Sequence, residues 1–317
     1  MNTNQDYFFI LLIISLVISV SGCTYDVSDP QSPERKIIVV IIDGPRYSET
    51  WGDSSRQYIP YQSGTLQSRG VLFTGFYNDG ITYTLPGHDQ IVTGVNESID
   101  NTGLQLPAFP SFFQYWRKQY NTAATDAWII TSKDKLAALA DCNDSSFHQQ
   151  YNPSTDCGIA GSGTGYRDDT TTLIHALEIL QQYHPHLVLI QFKEPDASAH
   201  LNNWNGYING IHQTDQYVKN IDAFLQQDSF YKEETDLIIT NDHGRHKDGW
   251  LNGFISHGDS CEGCRHISLL ATGPDFNTNQ IIADTFTLRD LNATISYLLS
   301  VNNIYSEGKV IETALKK

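Results

Sequence analysis

Seven residues of metal-binding type stand at the ends of apolar runs or in tight clusters, spread over more than 200 positions of a 317-residue chain. Asp43 closes Lys36-Ile-Ile-Val-Val-Ile-Ile-Asp43-Gly44, and Thr84 lies in Thr82-Tyr-Thr84-Leu-Pro86-Gly-His88. Asp196 and His200 form Asp-x-x-x-His in Glu194-Pro-Asp196-Ala-Ser-Ala-His200. Asp242-His243 ends Leu237-Ile-Ile-Thr-Asn-Asp242-His243-Gly244, and His257-Gly258 follows. Zinc takes nitrogen and oxygen ligands, commonly three from protein in a catalytic site. Two metals about 4 Å apart stabilise both the attacking and the leaving oxygen of an in-line displacement. A threonine hydroxyl is a weak nucleophile until a metal or a base removes its proton. A single Asp after a strand is more often a cap or turn residue. The ordered joint occurrence of these pieces points instead to two-metal ester hydrolysis with Thr84 as nucleophile.

Such residues need a scaffold that brings them to one place. Strand-like apolar runs occur at 37–42, 127–131, 187–192, 237–240 and 267–271, separated by helical patterns. That alternation predicts an α/β fold with a mostly parallel central sheet and helices on both faces. Helical spacing of apolar residues marks 170–183 and 208–225, and 288–299 reads as a last helix. In an open α/β sheet, ligands gather at the carboxyl ends of the strands. Asp43 and Asp242-His243 lie at such ends, and Asp196 follows a third. Asp196 and His200 project from one face if their stretch is a helical turn. Pro86 suits the first turn of a helix, which places Thr84 near a helix N-terminus, where free amides favour phosphate.

The formal charge of −16 and the lack of a Lys/Arg cluster exclude nucleic acid as a partner. Forty per cent hydrophobic content fits a globular protein. At the N-terminus, the apolar run from Tyr7 to Val20 ends in Val20-Ser21-Gly22-Cys23. It is short for a membrane span, and small residues directly before a cysteine resemble the bacterial lipobox, although residues 1–8 carry no Lys or Arg. The expected organisation is a lipoprotein signal peptide (1–22), a tether (23–35) lipid-anchored through Cys23, and one metallohydrolase domain (36–317). An ordinary signal peptide is the alternative, and either places the domain outside the cytoplasm. Four cysteines then remain, and an even number in an oxidising compartment predicts two disulfides, Cys142–Cys157 and Cys261–Cys264 by sequence proximity. The alternative for Cys261-x-x-Cys264 is metal or redox chemistry; without a second such pair, a loop staple is preferred.

From Lys36 to Asp275 the chain resembles the alkaline phosphatase superfamily, nearest to its nucleotide pyrophosphatase/phosphodiesterase branch and to phosphate-irrepressible phosphatases. The resemblance rests on Ile42-Asp43-Gly44, Thr84-Leu-Pro86-Gly-His88 with Val92-Thr93-Gly94, Glu194-Pro-Asp196-x-x-x-His200, Asp242-His243-Gly244 and His257-Gly258. It implies two Zn2+ ions. Asp43, Asp242, His243 and the Thr84 oxygen would hold one, and Asp196, His200 and His257 the other. His246 and His266 compete for the last role, and His257 is preferred for the glycine after it and its spacing to the following strand. The implied route is attack by Thr84 on phosphorus, loss of the alcohol, and hydrolysis of the phospho-threonine. Asn101, with Gln105 as the alternative, falls near the place of the branch's substrate-binding Asn. Thr131-Ser-Lys133-Asp-Lys135 resembles a Lys-Asp-Arg stretch whose two cations bind a monoester's extra charge, so Lys133 and Lys135 are expected to bind a small phosphate-ester substrate. Phosphomonoester hydrolysis is therefore favoured over diester hydrolysis. A sulfatase fits less well, because Thr84 stands where Cys or Ser is needed and Pro86 is followed by Gly87. Phosphonate hydrolysis and phosphoryl transfer share all seven ligands. A non-catalytic binding lipoprotein would be expected to have lost some.

Overall fold

A computed structural model of the chain describes residues 35–317. The signal peptide, Cys23 and nearly all of the tether lie outside these residues. One compact unit, Ser32–Lys317, contains everything described.

In chain order the elements are β1 (Lys36–Ile42), β2 (Gly70–Tyr77), α1 (Thr84–Thr93), α2 (Phe112–Tyr120), β3 (Ala127–Thr131), β4 (Ser154–Cys157), α3 (Asp169–Tyr183) and β5 (Leu187–Phe192). There follow α4 (Asp196–His200), α5 (Trp204–Gln227), β6 (Thr235–Thr240), α6 (Glu262–Arg265), β7 (His266–Thr272), β8 (Gln280–Ile282), β9 (Phe286–Thr287) and α7 (Leu288–Leu298). The sheet order is β4-β3-β5-β1-β6-β7-β2-β8, with β9 also on β2. Among the described strands only β7 runs against its neighbours, β6 and β2. The mostly parallel α/β fold expected from the sequence is the one found.

β1 shows why the fold takes this form. Its β-branched run leaves no polar face, as a central strand covered on both sides requires. Ile37, Val39 and Ile41 pack with α1, α2 and α7, whereas Ile38, Val40 and Ile42 pack with α3 and α5. Burial of such a side chain stabilises by about 1.5–3 kcal/mol over leaving it exposed. Helix ends are marked locally too. Ser111 and Gln114 form a capping box on α2, and α1 stops at Gly94 in the left-handed conformation.

The expected strands and helices are present, with ends shifted by a few residues. β2 was not read from the sequence. Its apolar run is broken by Thr74 and Gly75, and the register slips between Phe73 and Phe76. Parallel register sends the carboxyl ends of β1, β3, β5 and β6 to one edge of the sheet. Because β7 is reversed, its first residue and α6 stand at that same edge.

Neither expected disulfide is formed in the structure, where Cys142, Cys157, Cys261 and Cys264 are free. Cys142 lies among Asp144, Asp141 and Gln114, whereas Cys157 lies at the end of β4 beneath Thr131 and the Ile129 carbonyl. These are different surroundings, so sequence proximity does not bring the two together. Cys261 and Cys264 do neighbour each other, but in a cluster with His246 and Asp259.

Candidate metal centre and nucleophile

Asp43 directly follows β1 and is fully buried. Its Oδ2 accepts hydrogen bonds from Gln191 Nε2 at 2.9 Å and Lys133 Nζ at 2.8 Å, while Oδ1 has no partner. Asp242 Oδ2 and His243 Nε2 are also buried without hydrogen-bond partners. The three orphaned atoms converge, with His243 Nε2 3.5 Å from Asp43 Oδ1 and 3.4 Å from Asp242 Oδ2. Asp242 Oδ1 is held by the amides of Gly44 and His243, and His243 Nδ1 donates to the Gly244 carbonyl. Each ligand is thus oriented by its other atom, the usual support behind a metal centre.

A second cluster adjoins the first. Asp196 Oδ1 lies 3.2 Å from His200 Nε2 and 3.3 Å from His257 Nε2, and the two imidazole nitrogens are 3.1 Å apart. One turn of helix, α4, puts Asp196 and His200 on the same side, as their spacing predicts. His257 Nδ1 donates to the Thr82 carbonyl at 2.7 Å, and the His257 ring stacks on His243 at 3.7 Å. The atoms of Asp196, His257 and His243 also form a compact ligand group, so His243 faces both clusters. His200, about half exposed, is the most open of the seven. Of its competitors, His246 turns into the cysteine cluster, and His266 is stacked between Tyr47 and Tyr77.

Thr84 opens α1 and is buried. Its Oγ1 accepts from Lys133 Nζ at 3.1 Å. The same ammonium reaches Asp196 Oδ2 at 2.6 Å, so it stands between the two clusters and beside the hydroxyl. Lys135 donates to Asn101 Oδ1 at 2.9 Å, and that oxygen also accepts from the Leu85 amide next to Thr84. Asn101, Lys133 and Lys135 therefore all lie around the start of α1. Gln105, the alternative to Asn101, instead holds the Asp100 amide.

The electrostatics are those of a site that calls for cations. Burial, reinforced by Asp196, pushes Asp43 up to about 6 despite Lys133. Burial and the nearby Asp43 raise Asp242 well above the carboxylate range. Burial alone would raise Asp196 too, but Lys133, His200 and His257 hold it well below that range. Burial lowers His243 and His257, which keeps both imidazoles neutral and available as ligands. Asp43 Oδ1, Asp242 Oδ2 and His243 Nε2, unpartnered and convergent, fit a divalent metal. So does the mixed nitrogen and oxygen donor set of Asp196, His200 and His257.

Three supporting residues were not singled out from sequence. Arg245 is fully buried and hydrogen-bonds Asp196 Oδ1 and the carbonyls of Phe254 and Ile255. Its signal was its place directly after Asp242-His243-Gly244. Gln191, within β5, fixes Asp43; a lone amide in an apolar strand is the only mark it leaves. His88, which burial pushes down to about 3, hydrogen-bonds the Thr84 carbonyl at 2.8 Å and lies 3.4 Å from Asp242 Oδ2.

A sheet of this topology, with two ligand clusters at its carboxyl edge and a buried hydroxyl held by the lysine that bridges them, fits a metal-dependent enzyme of the ester-hydrolase class. The chain belongs to the metalloenzyme superfamily, whose family model matches residues 115–303. It shares its fold with a protein in the alkaline phosphatase superfamily from Vibrio parahaemolyticus, which superposes with a TM-score of 0.65 at 13% identity, covering 88% of this chain and 70% of that one. Murine ectonucleotide pyrophosphatase/phosphodiesterase 5 superposes with a TM-score of 0.64 at 15% identity, covering 89% of this chain and 100% of that one. A phosphonate monoester hydrolase from Silicibacter pomeroyi gives 0.63 at 13% identity, covering 88% and 76%. A sulfatase from Pseudoalteromonas sp. gives 0.61 at 12% identity, covering 87% and 70%. No curated protein matches the chain in sequence.

Proposed function

We propose that the chain is a phosphomonoesterase that uses Thr84 as nucleophile and passes through a phospho-threonine. Asp43, Asp242 and His243 would hold one Zn2+, and Asp196, His200 and His257 a second. When bound, the two ions supply charge that stabilises the Thr84 alkoxide and the departing oxygen. The observation that carries the reading is Lys133 Nζ, 3.1 Å from Thr84 Oγ1, with Lys135 close by on Asn101.

The residues act in order. Lys133 donates to the Thr84 oxygen, which favours its deprotonated form and orients it toward phosphorus. Thr84 gives up its hydroxyl proton to water, Oγ1 forms a bond to phosphorus as the ester bond breaks, and the alcohol leaves with a proton from water. Water next hydrolyses the phospho-threonine, releasing phosphate and restoring the hydroxyl. A monoester carries one negative charge more than a diester, and the two lysines match that extra charge. Neither lysine offers the bidentate fork of an arginine, so the binding is by point charge. The residues after the N-terminal apolar run support an extracytoplasmic, lipid-anchored location. Among the described residues no helix is long and apolar enough to cross a membrane.

The test compares p-nitrophenyl phosphate with bis-p-nitrophenyl phosphate, with and without chelator, on the zinc-loaded chain. The reading expects faster, chelator-sensitive cleavage of the monoester. Faster diester cleavage would instead assign a phosphodiesterase, the activity named for the murine structural neighbour.

A further inference from the structure

A second group of ligand-type side chains lies apart from the residues assigned to the two-metal centre. His246, Asp259, Cys261 and Cys264 bring one ligand atom each to within 4.8 Å of one another. Two chain segments meet there, one with His246 and one running from Asp259 to Cys264. His246 lies in the turn beyond Asp242-His243, Asp259 in the loop after His257, and Cys261 caps α6 with Cys264 inside it. On a single helical turn the Cys-x-x-Cys spacing places both sulfurs on one side.

His246 is the observation that points to a ligand. The residue is 3% exposed, and its Nε2 is buried without a hydrogen-bond partner. Its Nδ1 faces Asn252 Oδ1 at 3.2 Å, an acceptor, so Nδ1 carries the proton. The Nε2 lone pair then faces Asp259 Oδ2 at 3.3 Å. Two acceptors that close repel each other, and a cation between them turns the repulsion into coordination. Asp259 is aimed from behind, its Oδ1 accepting from the Cys261 amide at 2.9 Å and its Oδ2 from Trp250 Nε1 at 3.4 Å. Cys264 is fully buried, and its carbonyl accepts from the Gly244 amide at 2.8 Å. Orientation of the first ligands by second partners is what metal sites require.

We propose that His246, Asp259, Cys261 and Cys264 bind a structural Zn2+ ion of their own. Two thiolates, an imidazole and a carboxylate make a closed four-ligand set, the coordination of structural zinc. The thiolates select against magnesium, calcium and manganese. The ion ties the turn after Asp242-His243 to the loop that carries His257. That loop also holds the nucleophile's segment, since the Asp259 carbonyl accepts from Thr82 Oγ1 at 2.7 Å and the Thr82 carbonyl accepts from His257. The site stands whether or not the phosphatase reading does.

The test uses the full chain loaded with zinc, or with cobalt as a coloured replacement. A mercurial thiol reagent should release one metal equivalent per chain from the wild type. The cobalt form should show a thiolate-to-cobalt charge-transfer band. Cys264→Ser and His246→Ala should each hold one equivalent less, and Cys264→Ser should weaken the band. Should Cys264→Ser fail to fold, the wild-type spectrum and release still decide. Absence of both the band and the mercurial-released equivalent overturns the proposal, as does a Cys261–Cys264 disulfide found in the metal-loaded chain.

Discussion

Replacement of Gly87 by alanine tests whether the start of α1 has to lie against Asp242. A Cβ added at Gly87 would sit 2.5 Å from the Asp242 carbonyl oxygen and 3.1 Å from its carbonyl carbon and Cβ. Carbon–oxygen contacts of this kind settle near 3.3 Å, so α1 or the Asp242 backbone has to withdraw by about 0.8 Å. Neither can do so freely. Thr84 Oγ1 is hydrogen-bonded to Lys133, which is itself fixed by Asp43 and Asp196, and Asp242 is held by Gly44. A misplacement near 1 Å costs about a hundredfold in rate. Overpacking costs about 1–3 kcal/mol of stability, of which alanine's better helix propensity returns up to about 1 kcal/mol. The expected result for Gly87→Ala is a kcat on p-nitrophenyl phosphate lower by about a hundredfold, with a modest fall in Tm. Gly64→Ala is the control, because a Cβ there meets nothing within 4 Å. Wild-type kcat with unchanged Tm in Gly87→Ala would refute the close approach as a requirement.

Three further outcomes are expected. Thr84→Ala should lower turnover by at least about a thousandfold while metal content measured by emission spectrometry stays unchanged, because the change removes the nucleophile and no charged ligand. Lys133→Ala should lower kcat/KM for a monoester by about tenfold to a hundredfold, the value of a charged hydrogen bond, and affect a diester less; equal losses would assign the lysine to structure. Burial and the neighbouring Lys133 push Lys135 down to about 8. It is charged below that pH and neutral above, so KM for a monoester should rise as pH passes about 8. Lys135→Arg, charged throughout, should abolish the rise, whereas a KM indifferent to pH in the wild type would remove Lys135 from substrate binding.

The central strands were legible because β1, β3, β5 and β6 are each built around an apolar run, a pattern that a sheet covered on both faces demands. Their ends carried the ligands into view: Asp43 and Asp242-His243 are where such runs stop. β2 and the direction of β7 were not foreseen, because a strand interrupted by Thr74 and Gly75 and bent by a bulge has no clean period, and apolar content carries no direction. Within the site, Asp and His announce themselves by type. Arg245 and Gln191 act only through what they hold in place, which spacing does not encode. The cysteines show the limit most clearly. Sequence proximity paired Cys142 with Cys157, which fold into different surroundings. It also set Asp259, Cys261 and Cys264 apart from His246, which only the meeting of two segments brings beside them.

The stereochemical course at phosphorus bears most directly on Thr84 as nucleophile. Hydrolysis of a thiophosphate monoester made chiral at phosphorus with two oxygen isotopes, in water of the third, reports the number of displacements. Attack by Thr84 followed by attack of water inverts phosphorus twice, so net retention is expected. Net inversion would mean that water attacks the ester directly, and that Thr84 does not carry the phosphoryl group.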